Sequence, residues 1–140
     1  MIVLDTNVVS EMMKERPDPK VLRWLDGQIV DQMYLTAINL AELLIGMELM
    51  PSGRRRQALE TTLSQILGQY FPDRILPFDE PAARTYSLLL SHARGAGRPI
   101  SVADGQIAAI AKLHGFTVAT RDTGPFAAAG VAFVNPWELA

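Results

Sequence analysis

Short apolar runs alternate along this chain with longer segments of helical periodicity, from the first residues to the last. Strands joined in this way by crossover helices form a parallel sheet with helices packed on both faces. No repeat, low-complexity tract or linker interrupts the alternation. The sequence therefore predicts a single α/β domain over residues 1–140, with a three-layer α/β/α architecture.

The strands are predicted from the apolar runs, which do not alternate polar and apolar residues. Strands of this kind are buried on both faces, as in a parallel sheet. Five short strands are expected, over residues 2–4, 33–36, 74–76, 117–119 and 131–134. Six helices are expected, over residues 6–14, 19–29, 37–50, 54–69, 81–96 and 102–114. Gly115 follows the last of them, at the position where glycine commonly ends a helix.

Composition removes several classes of protein. The chain has no Cys, which excludes disulfides and thiolate metal sites but leaves oxygen ligands available. The N-terminus lacks the basic and apolar regions of a cleavable signal, and no run approaches the roughly 18 apolar residues of a membrane span. We therefore expect a cytoplasmic protein. A net charge of −2 provides no overall attraction to nucleic acid, so such binding would need local basic clusters.

Four acids stand out because they are set in apolar sequence. Asp5 directly follows the first apolar run and would lie at the carboxyl end of the first strand, where ligands bind in an open parallel sheet. Glu42 follows the second predicted strand, and Asp122 follows the fourth. Asp104 begins the helix that leads into the fourth strand. A parallel fold can therefore bring all four acids to one edge of the sheet.

Glu42 lies in a predicted helix, LTAINLAELLIGMELM, that is apolar nearly all round. Asn39, Glu42 and Gly46 form one narrow stripe along it, at positions i, i+3 and i+7. An ionised carboxylate in such a place needs a cation or a wet cleft. The alternative, a Glu42 that merely faces solvent, fits less well a helix with so few polar positions.

Local capping offers an alternative role for Asp104 and Asp122. Ser101 and Asp104 have the spacing of a capping box, and an acid in the first helical turn also suits the helix dipole. Asp122, before Thr-Gly-Pro, could start a turn or cap a short helix. Capping and membership of a shared site do not exclude each other, so both interpretations remain open.

Four carboxylates gathered at one edge would repel one another unless a cation lay between them. Ligation by oxygen alone favours Mg²⁺ or Mn²⁺. Such an ion activates water and stabilises the charge that develops on a phosphate during attack. No Ser-His-Asp arrangement, Walker A loop or Rossmann glycine pattern is present. The acids therefore indicate metal-assisted hydrolysis of a phosphodiester.

Four motifs, in this order along the whole chain, resemble those of the PIN-domain family: IVLDTNVVSE, LTAINLAELLIGM, ISVADGQIAAIA and TVATRDTGPF. Within that family the sequence looks most like the VapC and FitB type of toxin from bacterial type II toxin-antitoxin pairs, including the late FVNPW. The resemblance implies a PIN-like fold and an endoribonuclease that depends on Mg²⁺ or Mn²⁺. The family's acidic positions fall on Asp5, Glu42, Asp104 and Asp122, the same four acids that the residue patterns selected.

The resemblance also implies catalytic and metal-binding roles for the four acids. We expect Asp5 and Asp104 to bind metal directly. Glu42 is expected to bind the ion or hold its water, and Asp122 to position a second ion or a coordinated water.

Three polar neighbours in the same motifs are candidates for orienting the metal ligands: Thr6, Asn7 and Thr120. Groups that hydrogen bond to metal ligands commonly fix their orientation. The alternative for these three residues is local capping at the ends of helices or strands.

RNA binding by an acidic protein must rely on local basic side chains. Arg121, beside Asp122, is the first candidate for contacting a phosphate. Arg54, Arg55 and Arg56 are a second, because they lie where a helix is predicted to begin, the end at which the dipole disfavours positive charge. The alternative for this cluster is an ordinary solvated basic surface.

Two apolar helical segments, LLIGMELM and YSLLLSHA, in a chain with 49% apolar residues predict more exposed apolar surface than a monomer keeps. We therefore expect a homodimer and a groove for a cognate antitoxin, with DNA contacted only through the antitoxin, as the resemblance implies. The alternative is that these segments form only the core. A different function also stays open: a non-catalytic regulatory partner that stabilises a DNA-binding antitoxin.

Overall fold

Five parallel strands form a central sheet in the computed structural model, which describes residues 1–139. The strands are β1 (Ile2–Leu4), β2 (Met33–Thr36), β3 (Ile75–Leu76), β4 (Thr117–Ala119) and β5 (Phe133–Val134). Seven α-helices accompany them within the described residues: α1 (Thr6–Met12), α2 (Pro19–Asp26), α3 (Ala37–Glu48), α4 (Arg54–Tyr70), α5 (Glu80–Gly95), α6 (Val102–His114) and α7 (Gly124–Ala129). Among residues 1–139, none of these helices is long and apolar enough to cross a bilayer.

β1 lies at the centre of the sheet, in which the strand order is β3-β2-β1-β4-β5. Ile2 of β1 is in register with Met33 of β2 on one side and with Thr117 of β4 on the other. The chain therefore adds strands outward from β1 in one direction and then crosses to the opposite side. The residues that follow β1, β2 and β4 meet at one edge, where the strand order reverses and parallel sheets bind their ligands.

Helices cover both faces of the sheet and divide the apolar core into two halves. Neighbouring residues of a strand point to opposite faces. Leu4 accordingly packs with Val8 in one half, whereas Val3 packs with Ile107 and Phe126 in the other. All five side chains are fully buried. The expected three-layer α/β/α architecture with short parallel strands is confirmed.

Several element boundaries differ from those predicted. β3 and β5 each contain two residues, fewer than the apolar runs suggested. α2 ends at Asp26 with Gly27 as its C-cap, and a 3₁₀ turn at Val30–Gln32 then leads into β2. α7 was absent from the predicted helices, since its six residues are too few to show a period. Gly115 ends α6, as predicted, and it adopts the left-handed conformation.

α3 buries one of its faces, although its sequence is apolar nearly all round. Its buried residues are Asn39, Leu43 and Met47. Leu44 and Ile45 on the outer face are 46% and 56% exposed. The amphipathic pattern is concealed in the sequence because this exposed face is also apolar.

Candidate active site

The residues that follow β1, β2 and β4 surround a cavity of about 440 Å³ at the edge of the sheet. Asp5, Glu42, Asp104 and Asp122, the four acids selected from the sequence, all contribute to its wall. The remaining lining residues are Thr6, Asn7, Ser10, Glu11, Lys14, Arg121 and Trp137. Acids that are far apart in the chain thus lie at one cavity.

Asp5 is the most deeply buried of the four acids, with 6% of its surface exposed. It is the N-cap of α1, and its Oδ1 accepts the backbone N–H of Thr6 at 2.9 Å. Its own N–H donates to the carbonyl group of Ala119 in β4, also at 2.9 Å. The backbone therefore fixes Asp5 at the end of β1, beside the end of β4.

Two side chains also donate hydrogen bonds to the Asp5 carboxylate. The amide of Asn39 donates to Oδ1 at 3.1 Å, and the hydroxyl of Thr120 donates to Oδ2 at 2.7 Å. Both donors are fully buried. The carboxylate is consequently held in one orientation by elements on either side of β1.

The pKa of Asp5 lies above its ordinary value of 3.8, chiefly because burial disfavours the charged form. The hydrogen bonds from Thr120 and Thr6 oppose this rise. The negative charges of Asp104 and Glu42 add to it. Within residues 1–139 no Lys or Arg forms an ion pair with Asp5. A cation placed beside Asp5 would therefore relieve an electrostatic penalty.

Glu42 reaches the cavity from the second turn of α3. Its Oε1 accepts a hydrogen bond of 2.8 Å from the hydroxyl of Thr6, the residue next to Asp5. The side chain is exposed, so it is surrounded by the open cavity and not by the protein interior. Glu42 thus combines the wet cleft that was expected with the solvent exposure that was the alternative.

Asp104, in the first turn of α6, takes part in capping and also lines the cavity. The Oγ of Ser101 accepts the N–H of Asp104 at 3.2 Å, and the hydroxyl donates to Oδ2 at 2.9 Å. At the next position, Gly105 allows α6 to approach α5 closely, since a Cβ there would lie 2.8 Å from Cε1 of Tyr86. This packing determines where Asp104 enters the cavity.

Asp122 lies in the turn between β4 and α7. Its backbone N–H donates to Oγ1 of Thr120 at 3.0 Å, and the N–H of Arg121 donates to Oδ1 of Asn7 at 3.3 Å. α7 begins without a side-chain cap, so the Asp122 carboxylate does not cap it. The turn instead places this carboxylate in the wall of the cavity.

Thr6, Asn7 and Thr120 connect the acids through hydrogen bonds between α1 and the turn after β4. Thr6 contacts both Asp5 and Glu42. Thr120 donates to Asp5 and accepts the side-chain amide of Asn7 at 3.3 Å. These contacts join parts of the chain that are distant in sequence, which local capping alone would not do.

Glu11 is a fifth acid in the wall, and the sequence did not reveal it. Its Oε1 accepts from Nζ of Lys14 at 2.9 Å, and its Oε2 accepts from the backbone N–H of Asp18 at 3.0 Å. Burial alone would raise the pKa of Glu11, but the hydrogen bonds from Lys14 and Asp18 outweigh it and leave the pKa below 4.5. Glu11 therefore already has a cationic partner, in contrast to Asp5.

The basic candidates divide into three environments. The guanidinium of Arg121 lies 5.2 Å from the ring centre of Trp137 at the cavity. Arg54 and Arg55 line a separate groove of about 750 Å³, which shares two lining residues with the cavity. Arg56 does not line the cavity and pairs with glutamates of α3 and α4 at 3.0 and 2.8 Å. Arg121 is thus the candidate that the fold places beside the acids.

The donors in the cavity suit a hard divalent cation by type and charge. They are carboxylate oxygens, which Mg²⁺ and Mn²⁺ prefer, and the buried Asp5 has no cationic partner among residues 1–139. Within residues 1–139, no three acidic or His side chains are already arranged closely enough to hold a metal ion. Glu42 and Asp104 are instead each held by a hydroxyl group.

A PIN domain model matches residues 2–131. The chain belongs to the PIN-domain family. The matched residues run from β1 to beyond α7 and include all four acids at the cavity. The match therefore covers four of the five strands and the residues that line the cavity up to Asp122.

Known proteins resemble this PIN domain over its full length. It is 50% identical over 140 residues to VapC ribonuclease Y4jK of Sinorhizobium fredii, covering 100% of both chains. It is 50% identical over 138 residues to Toxin FitB of Neisseria gonorrhoeae, covering 99% of both. A chain in the solved structure of FitAB bound to an IR36 DNA fragment is 48% identical in sequence. The two folds superpose with a TM-score of 0.94, covering 100% of this chain and 98% of that one. The PIN-like fold expected from the sequence is confirmed.

Proposed function

We propose that this PIN domain is a divalent-metal-dependent endoribonuclease that acts as the toxin of a toxin-antitoxin pair. One observation carries the proposal: Asp5, Glu42, Asp104 and Asp122 line a single cavity in which Asp5 is buried. A chain 50% identical in sequence is named a ribonuclease, and another is named a toxin, which supports both the reaction and the biological role.

Asp5, Glu42, Asp104 and Asp122 are the residues that would hold Mg²⁺ or Mn²⁺. The ion, when bound, would supply an activated water and stabilise negative charge on the phosphate. The chain itself supplies the negative charge and the orientation of the ligands. Hydroxyl groups hold three of the acids, and they belong to Thr120, Thr6 and Ser101. Such prepositioning lowers the cost of ordering the ligands during the reaction.

Arg121 is the side chain best placed to contact RNA next to the acids. It is exposed, and its contact with Trp137 restricts the positions of the guanidinium. A fixed cation here would bind a phosphate and partly offset the repulsion between RNA and the acids. Arg54 and Arg55 would extend the contact along the neighbouring groove, whereas Arg56 already has acidic partners.

We also propose a cytoplasmic homodimer that binds a cognate antitoxin and contacts DNA only through it. The apolar outer face of α3 supports an interface, and Leu49 and Leu88 are 80% and 75% exposed. The resemblance to toxins of toxin-antitoxin pairs supports the antitoxin as a partner. The related FitAB complex has been solved on a DNA fragment, which supports an assembly that reaches DNA.

Cleavage of RNA by the purified chain tests the proposed activity. Mixed tRNA and rRNA fragments are incubated with the chain in Mg²⁺, in Mn²⁺ and in EDTA. Asp104→Asn should abolish cleavage, whereas Asp26→Asn, an exposed acid at the end of α2, should not change it. Cleavage that persists in EDTA or in Asp104→Asn would contradict the mechanism. A folded chain that cleaves no RNA with either metal would favour the regulatory partner instead.

A further inference from the structure

Asn39 links two of the acids without itself carrying charge. It lies in the first turn of α3 and is fully buried. Its Oδ1 accepts both the backbone N–H of Thr36 at 3.2 Å and the Thr36 hydroxyl at 2.6 Å. Because the oxygen is occupied by two donors, the NH₂ group must point to the other side.

The NH₂ group of Asn39 has two protons and meets two acceptors. Nδ2 donates to Oδ1 of Asp5 and to Oγ1 of Thr6, each at 3.1 Å. The hydrogen-bonding capacity of the amide is thereby used in full within the protein. Among the described residues no buried side-chain nitrogen or oxygen lacks a hydrogen-bond partner, so reversal of the amide would break a satisfied network.

The donation to Thr6 determines where the Thr6 proton goes. A hydroxyl group has a single proton, and the Thr6 oxygen already accepts a proton from Asn39. Its own proton is therefore directed to Oε1 of Glu42, 2.8 Å away. The amide thus orients Asp5 directly and Glu42 through Thr6.

We propose that Asn39 is a positioning residue for this site, which sets the relative orientation of the Asp5 and Glu42 carboxylates from one buried amide. The inference rests on the proposed function, because it assigns Asn39 to the site that would bind metal and RNA. Asn39 also accepts from the backbone at the start of α3, which is a purely structural role. The two roles use opposite ends of the amide, so substitutions can separate them.

Asn39→Asp separates the structural role of Asn39 at the start of α3 from its positioning role at the site. It retains an oxygen for the two Thr36 donors but replaces both N–H donors with an acceptor. We expect kcat to fall by about 10- to 100-fold with KM little changed, as found for partners of metal ligands. Asn39→Ala should show a similar loss of kcat. Asp79→Ala is the structural control, because it removes the cap of α5 away from the cavity and should leave kcat unchanged.

A double-mutant cycle with Thr6→Val tests the path through Thr6. If Asn39 acts on Glu42 through this hydroxyl, Thr6→Val and Asn39→Ala disrupt the same interaction. The fold-loss in kcat of the double variant should then be much smaller than the product of the two single fold-losses. Losses that multiply would overturn the path from Asn39 to Glu42.

Mn²⁺ binding provides a readout that does not depend on cleavage. Titration calorimetry with Mn²⁺ alone should show binding to Asn39→Ala weakened by about 10- to 100-fold, and binding to Asp79→Ala unchanged. Wild-type protein that neither binds Mn²⁺ nor cleaves RNA would overturn the proposed function together with this inference. Wild-type protein that does both, with Asn39 variants that match Asp79→Ala, would overturn this inference alone.

Discussion

The hydroxyl of Thr120 donates a hydrogen bond of 2.7 Å to Oδ2 of Asp5, across 115 positions of sequence. Both residues are buried, and each directly follows one of the two central paired strands. The contact therefore uses the β1–β4 pairing to orient the acid that lies deepest in the cavity.

Thr120→Val should weaken both folding and cleavage. The variant keeps the shape of the side chain but leaves Oδ2 of Asp5 without its donor, and an unpaired buried polar group costs about 1–3 kcal/mol of unfolding free energy. Cleavage of RNA should fall by about 10- to 100-fold, because the carboxylate is less well oriented. Urea denaturation and cleavage rates measure the two effects. Thr120→Ser, which keeps the hydroxyl, is the control, and equal losses in both variants would argue against the hydrogen bond.

Asp5→Asn should stabilise the metal-free protein increasingly as the pH rises. The pKa of Asp5 is raised on folding, so its contribution to stability is complete below 3.8 and is lost as the pH rises through the folded value. The Asn variant has no charge to lose. The difference in unfolding free energy, measured in EDTA by urea denaturation, should therefore grow with pH and then level off.

The same pair of proteins provides a test with metal. Mg²⁺ should stabilise the wild type at neutral pH and have a smaller effect on Asp5→Asn, because the wild-type carboxylate gains a cationic partner. The opposing pH dependence of Glu11 is present in both proteins and cancels in the difference. In EDTA, a difference in unfolding free energy between Asp5→Asn and the wild type that shrinks as the pH rises would contradict the buried environment assigned to Asp5.

The four acids were predictable because each adjoins a feature with a local signature. Asp5 ends an apolar run, and Asp104 stands in the first turn of a helix with a Ser cap. Chain order and the geometry of parallel sheets were then enough to place the acids at one edge. The contact of Asn39 with Asp5 could not be predicted, because it depends on how α3 packs against α1, which no local pattern records.

Tertiary packing also separates residues that look alike in the sequence. Arg54, Arg55 and Arg56 are consecutive, yet of these three Arg56 is the one that pairs with glutamates, on both α3 and α4. Ile45 is a second example, because it is apolar like its neighbours in α3 and is nevertheless exposed. A helix that is apolar on two faces does not reveal which face meets the core and which is exposed.

Gly105→Ala should disturb the packing of α5 on α6 and the position of Asp104. The added Cβ would lie 2.8 Å from Cε1 of Tyr86, so the helices must separate or the ring must move, at a cost of about 1–3 kcal/mol. Cleavage should fall as well, since the adjacent Asp104 is displaced. Thermal or urea unfolding and cleavage rates provide the measurements.

Gly68→Ala is the matched control for this substitution. Gly68 lies within α4, and its added Cβ would meet no atom within 4 Å, so the variant should gain about 0.5–1 kcal/mol from helix propensity. A further variant, Gly105→Ala with Tyr86→Leu, removes the ring that the Cβ would strike. If the double variant loses as much stability as the two single variants together, the close contact between the added Cβ and Tyr86 is not the cause of the destabilisation.

Arg121→Ala should weaken RNA binding with little change in stability. The exposed guanidinium beside Trp137 lies at the acidic cavity, where a single phosphate contact contributes about 0.7 to the slope of log affinity against log salt concentration for a single strand. Binding is measured at several salt concentrations in the Asp104→Asn background, so that the RNA stays intact. The slope should decrease by about that amount in Arg121→Ala. Arg56→Ala should leave it unchanged, because Arg56 is paired with glutamates outside the cavity. Equal slopes for Arg121→Ala and its parent would remove Arg121 from the RNA interface, and a reduced slope for Arg56→Ala would mean that its ion pairs open when RNA binds.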